Sequence, residues 1–108
     1  MSKGDYLGEF EIVVLSTLLH LGENAYGMTI RCSIEERTGR SVSIGAIYAT
    51  LRRLERKELV ASRLGEPTAE RGGRAKRFFA LEPAGEEAVA RSRAMFARLW
   101  DDLPQGPQ

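Results

Sequence analysis

The chain has 108 residues, 43% hydrophobic and 29% charged, with a formal net charge of +1, which suits one folded domain with a single modest core. One cysteine and one histidine exclude an internal disulfide, cannot close a metal site within one chain and supply no nucleophile–base triad, so neither an enzyme, a metal nor a cofactor is expected. No apolar run approaches the roughly 18 residues that span a membrane. Residues 10–21, the most apolar stretch, carry Glu11 and show neither a basic leader nor a small-residue cleavage site. A buried helix in a cytoplasmic protein is therefore expected rather than a signal peptide. The near-neutral total hides an asymmetry. Lys3 faces four acids in residues 1–30, twelve Lys or Arg face six acids in 31–77, and three Arg face five acids in 78–108. The positive middle points to an anionic partner, and the acidic ends to some other engagement.

The first helix is expected over Tyr6–Leu21, where Leu7, Phe10, Val14, Leu18 and Leu21 recur at steps of three and four. Ile12, Val13, Leu15 and Leu19 widen the stripe, as for a helix in contact on more than one side. After a turn at Gly22–Asn24, a second helix is expected over Ala25–Thr38, with Tyr26, Ile30 and Ile34 on one face and Gly39 as its stop. Cys32, inside it, reads as an inert small hydrophobe.

Ser43 is placed to cap a third helix that runs to Lys57. Wound as a helix, this stretch sets Ile47, Leu51 and Leu54 on a core-facing side. Gly45, Ala49, Arg52 and Arg56 lie roughly opposite, flanked by Ala46 and Arg53. Small residues beside so many Arg suit a helix that lies close against a polyanion. Two helices, a Gly-containing turn and a cationic helix describe a helix-turn-helix. Residues 59–65 and 76–81 then read as strands around an exposed basic loop with Pro67 and Gly72–Gly73. The fold class expected is mainly α with a small β-hairpin, a winged helix-turn-helix over residues 1–82. Pro83 opens a last helix, 83–103, and 104–108 is expected to be a disordered tail. Val89, Phe96 and Leu103 are seven apart, with Ser92 and Leu99 between them and Trp100 alongside; that spacing makes a short coiled-coil seam.

Four patches together resemble the PadR family of bacterial transcriptional regulators. They are Leu7-Gly8 with Glu11, Val14-Leu15 and Leu18; Tyr26-Gly27 with Ile30 and Glu35–Gly39; Ser43–Tyr48 with Leu51, Arg53, Leu54 and Glu55; and Gly72-Gly73-Arg74 with Lys76 and Phe79. They span residues 7 to 85, and the single C-terminal helix is similar to the smaller subgroup of the family. Two positions depart from the family pattern. Glu58 stands where Gly is usual before the first wing strand, and Pro83 where Thr or Ser usually caps the last helix.

The resemblance implies a homodimeric repressor on a pseudo-palindromic, double-stranded DNA operator, and the residues suggest how the work divides. Ser43, Gly45, Ala46 and Ala49 would approach base edges, while Arg52, Arg53 and Tyr48 reach phosphates or bases at the margin. Arg71, Gly72, Gly73 and Arg74 form either a merely soluble hairpin loop or a wing whose Arg enters the minor groove, with Lys76 and Arg77 on the flanking backbone. Tyr26 is either core or a phosphate contact. Val89, Phe96, Leu99, Trp100 and Leu103 form the dimer seam. Phe96 and Trp100 either do nothing further or wall a site for a small apolar or aromatic effector at the dimer interface, where two such helices meet, as multidrug-sensing relatives similarly use an aromatic of this helix there. The competing reading is a winged-helix protein-interaction module that does not bind DNA.

Overall fold

A computed structural model describes residues 7–66, 75–104 and 106 of the chain. Its elements are α1 (Glu9–Leu21), a 3₁₀ turn (Gly22–Asn24), α2 (Gly27–Thr38), α3 (Ile44–Arg56), strands β1 (Val60–Leu64) and β2 (Arg77–Leu81), and α4 (Pro83–Trp100). The expected Tyr6 start, residues 71–74 and the end of the tail lie outside the described residues. No helix among the described residues is long and apolar enough to cross a membrane.

The core is where the three N-terminal helices meet the hairpin. Val14, Leu15 and Leu18 of α1, Ile30 and Ile34 of α2, and Ile47, Leu51 and Leu54 of α3 are buried together with Val60 and Phe79. The periodic residues expected to face inward on α1 and α3 do so. Each helix end has an identifiable stop. Glu11 accepts the Gly8 N–H at 2.9 Å at the start of α1, and Ser43 Oγ accepts the Ala46 N–H at 3.0 Å at the start of α3. Gly39 takes φ 74° after α2, the left-handed conformation open to glycine at little cost.

The turn between α2 and α3 is pinned from both sides. Glu35 Oε2 accepts the Val42 N–H at 3.1 Å. Arg40 reaches back to Glu9 at 2.9 Å while its guanidinium lies 5.4 Å from the centre of the Phe10 ring. Two helices of a helix-turn-helix are thereby fixed to α1 as well as to each other.

Several details differ from the sequence expectation. Ala25 and Tyr26 are extended rather than helical, because Tyr26 bridges Phe78 and the Phe79 N–H donates to the Ala25 carbonyl at 2.8 Å. The hairpin so gains a short third backbone partner. At the far end, α4 stops at Trp100 rather than Leu103, with Asp101 and Asp102 in a turn. Glu58 holds φ 62° without being glycine. The geometry there is a Schellman stop, in which the Leu59 N–H donates to Leu54 O at 3.0 Å and the Glu58 N–H to Glu55 O at 2.9 Å. The departure at Glu58 therefore leaves the turn intact and stores strain in one residue.

β1 and β2 pair antiparallel, Val60 opposite Leu81 and Leu64 opposite Arg77. α4 leaves β2 and returns across α1. Gly85, in its first turn, sits so close to the Leu59 carbonyl that a Cβ there would overlap the backbone. That contact sets where α4 crosses the base of the hairpin.

Candidate nucleic-acid interface

Because Ile47, Thr50, Leu51 and Leu54 are buried, the remaining side of α3 has nowhere to go but outward. Gly45, Ala46, Ala49, Arg52, Arg53 and Arg56 are all exposed along it. The helix thus presents a small, shallow N-terminal half and a cationic C-terminal half. Gly45 is informative because the fold does not need it. It sits in ordinary helical backbone, and a Cβ built there would meet only Ser43 Oγ, at 3.9 Å. Alanine would fit and would favour the helix, so nothing within the chain's own packing requires the missing side chain.

The three arginines are not equivalent. Among the described residues Arg52 and Arg56 have no ion-pair partner, whereas Arg53 lies with its Nε 3.7 Å from Glu11 Oε2 and donates to Thr50 Oγ1 at 3.2 Å. Glu11 also receives Lys57 Nζ, at 3.1 and 2.9 Å to its two oxygens. Burial pushes the Glu11 carboxyl up, but the Gly8 N–H and the charges of Lys57 and Arg53 together outweigh it and hold the group below its ordinary value. On sequence Glu11 stands out as the charge inside the most apolar stretch and as part of the family pattern. Its three-residue spacing after Gly8 was a legible capping signal, but its pairing with Lys57 was not.

Beside α3 stand the first turn of α2 and the hairpin. Tyr48 is half-buried, its ring 6.0 Å from that of Phe79 and its hydroxyl close over Gly27, where a Cβ would stand 2.6 Å away. Tyr26 packs edge-on against Phe78, with ring centres 5.4 Å apart. Lys76 Nζ lies 4.5 Å above the Tyr26 ring. Tyr26, Tyr48 and Lys76 thus gather around the start of α2. Arg77 points elsewhere, donating to Ser62 Oγ at 3.1 Å, and Ser62 in turn donates to Glu55 at 2.9 Å. Of the remaining sequence-derived candidates, Ser43 is the exposed cap of α3, and Arg71, Gly72, Gly73 and Arg74 lie outside the described residues.

Away from the exposed face of α3, apolar side chains of α1 and α4 come to the surface. Val89, Ser92 and Phe96 of α4 are half-buried and line a groove of about 610 Å³ with Ile12 and Leu19 of α1. Leu99, Trp100 and Leu103 are 57–60% exposed, a concentration of bare apolar side chains on one short stretch. The seven-residue seam is therefore divided: its first members face α1 and its last face outward. Phe96 and Trp100 stack on each other, with centres 4.7 Å apart and planes 16° apart. That pair leaves no slot between its rings in this arrangement.

Comparison with known proteins agrees with this architecture. Residues 14–91 match the family described as Transcriptional regulator PadR-like family. A 37.1 kDa protein in a transposon of Streptomyces fradiae is 38% identical over 74 residues, covering 68% of this chain and 19% of that protein. The chain thus spans about a fifth of that relative's length. Among solved structures, a PadR family transcription regulator from hypervirulent Clostridium difficile is similar with a TM-score of 0.73 and 23% identity, covering 85% of this chain and 91% of that one. A PadR-like transcription factor from Bacteroides fragilis is similar at 0.71 and 24%, covering 83% and 82%. A winged-helix DNA-binding protein from STIV is similar at 0.70 and 16%, covering 92% and 99%. At these identities the structural likeness establishes the winged-helix fold.

Proposed function

The chain belongs to the PadR-like family of transcriptional regulators, and we propose that it represses transcription by binding a pseudo-palindromic DNA operator as a homodimer. It is a regulator, not an enzyme, so the functional surfaces are those that meet DNA and a second copy. The observation that carries the DNA reading is Gly45: a helical glycine that the protomer does not require, on the exposed face that continues into Arg52 and Arg56.

In this proposal α3 enters the major groove with Ser43, Gly45, Ala46 and Ala49 nearest the base edges. Arg52, Arg53 and Arg56 reach phosphates at the margin, and Lys76 with Tyr26 and Tyr48 meets the backbone beside the start of α2. Arg71 and Arg74 of the wing loop would take the adjacent minor groove. Arg77, tied to Ser62, contributes to the potential more than to a direct contact.

The dimer would form through the bare end of α4 and the face of α1 beside it, which gives Leu99, Trp100 and Leu103 a partner surface. Two recognition helices would then fall about 34–36 Å apart, one turn of duplex. The groove between α1 and α4 is the place for a flat apolar or aromatic effector, whose binding would require Phe96 and Trp100 to part. Residues 1–82 would serve as the DNA-binding unit and 83–103, α4 with the turn that follows it, as the dimerisation segment.

Fluorescence anisotropy with a labelled duplex from its own promoter tests the central claim. Affinity should fall steeply as salt rises, and Gly45→Glu should abolish binding while the circular dichroism spectrum and dimer mass stay unchanged. Full binding by Gly45→Glu removes α3 from the DNA.

A further inference from the structure

We propose that Glu11 is a positioning residue for the DNA face: from behind α3 it fixes the Arg53 guanidinium in the orientation that meets a phosphate. The inference rests on the reading that α3 faces DNA, and it assigns to α1 a part in that contact. The Glu11 side chain is 8% exposed, and its carboxylate is tied to the first turn of α1 by the Gly8 N–H at 2.9 Å. It therefore presents a fixed point to the end of α3. Arg53 meets that point through Nε at 3.7 Å and is held at a second edge by Thr50 Oγ1, 3.2 Å from Nη2. Thr50 is itself buried. Held by one hydrogen bond and one longer ion-pair contact, the Arg53 side chain still keeps 47% of its surface open to solvent. Neither Arg52 nor Arg56 has a comparable restraint among the described residues.

An arginine that is already oriented loses less rotamer freedom when it takes a phosphate, and its planar fork makes the orientation matter. By the usual cost of immobilising a long side chain, the advantage is about two- to twelvefold in affinity. Lys57 has a separate part: it lies nearer the carboxylate than Arg53 and offsets the negative charge that Glu11 would otherwise project toward DNA. The next residue of α1, Ile12, lines the groove beneath α4. A shift of α1 caused by an occupant of that groove would thus reach Arg53 through Glu11.

The test turns on a sign. A carboxylate near a polyanion repels it, so neutralising Glu11 should tighten DNA binding if the residue has no positioning role. Positioning requires the opposite. Full-length protein is titrated at low salt, where phosphate contacts need no sequence match, against a labelled duplex of its own upstream region. Glu11→Gln should weaken binding by about two- to twelvefold in the wild-type background and by nothing further in Arg53→Ala. Lys57→Gln should lower the melting temperature, as Glu11→Gln does, and should weaken binding equally in the wild-type and Arg53→Ala backgrounds, since it removes charge and not a restraint on Arg53. Tighter or unchanged binding by Glu11→Gln overturns the proposal, as does an equal loss in the Arg53→Ala background. Should Glu11→Gln fail to fold, Thr50→Val releases the second edge of Arg53 without changing charge, and must weaken binding only while Arg53 is present. If Gly45→Glu abolishes binding but Arg53→Ala is neutral, α3 still faces DNA and only the positioning role falls. If Gly45→Glu binds normally, the underlying reading falls first.

Discussion

Gly45→Ala separates what the protomer wants from what its partner wants. A methyl at this position has room, since the nearest atom outside the helix's own backbone is Ser43 Oγ at 3.9 Å. Glycine in a helix interior is about 0.8–1.0 kcal/mol less favourable than alanine. Gly45 is in the first turn, where the penalty is smaller, so a gain of about 0.5–1 kcal/mol is expected. For a domain of this size that corresponds to a rise in Tm of roughly 2–8 °C. On DNA the same methyl must be accommodated between α3 and a groove that the glycine allows it to approach. Overpacking of that kind costs about 1–3 kcal/mol, a loss of roughly 5- to 150-fold in affinity. Thermal melts followed by circular dichroism, at one fixed protein concentration because dimerisation makes Tm concentration-dependent, give the first quantity. Anisotropy titrations give the second. The expected result is a protein that is more stable and binds less well. Wild-type affinity would mean that α3 does not approach DNA at Gly45. A lower Tm would mean that the glycine serves the fold after all, and the argument from Gly45 would be lost.

Leu99→Ala with Trp100→Ala removes two side chains that are more than half exposed in the protomer, and should yield a folded monomer by light scattering; a persistent dimer places the seam elsewhere. Glu58→Gly relieves a left-handed residue at φ 62° and should stabilise the fold by about 1 kcal/mol, read as a higher midpoint in urea with an unchanged slope; an unchanged midpoint would show that the strain is absorbed elsewhere. Glu11 makes stability depend on acid. Its folded pKa lies below the ordinary carboxylate value of 4.5, so its contribution is fully present above that value and is lost as pH falls through the folded pKa. The stability difference between wild type and Glu11→Gln should therefore be constant above about pH 5.5 and shrink as pH drops below about 4.5; a difference that persists unchanged to pH 3 would refute the assignment.

Local pattern made α3 legible because everything it needs is within its own stretch: a serine cap, a three-and-four apolar stripe and a cationic opposite face. The same reasoning failed at Tyr26, which continues the Ile30–Ile34 spacing yet is extended. Its backbone is claimed by Phe78, more than fifty positions later in the chain, and no local period carries that information. The seam on α4 was half legible. The seven-residue spacing of Val89, Phe96 and Leu103 is real, but the helix ends at Trp100 and α1 covers only the first part. Glu58 shows a third case: the chain adopts the conformation usual for glycine because the Schellman bonds and the packing of Leu59 specify it over the preference of the residue.

The acidic N-terminal segment takes on a different meaning once its contacts are known. On sequence, residues 1–30 read as an acidic end with an engagement of its own, set apart from the basic middle. In the structure Glu9 holds Arg40, and Glu11 holds Lys57 and Arg53, all from the back of the helix-turn-helix. Part of the charge of the middle segment is thus engaged from the rear. Arg40 and Lys57 are engaged with α1, while Arg52, Arg56 and Lys76 have no acidic partner among the described residues and stand on or beside the face next to Gly45 and Tyr26. The Glu11 ion pairs join α1, which lines the α4 groove, to α3 in addition to apolar packing, so the groove and the exposed face of α3 are mechanically linked through α1.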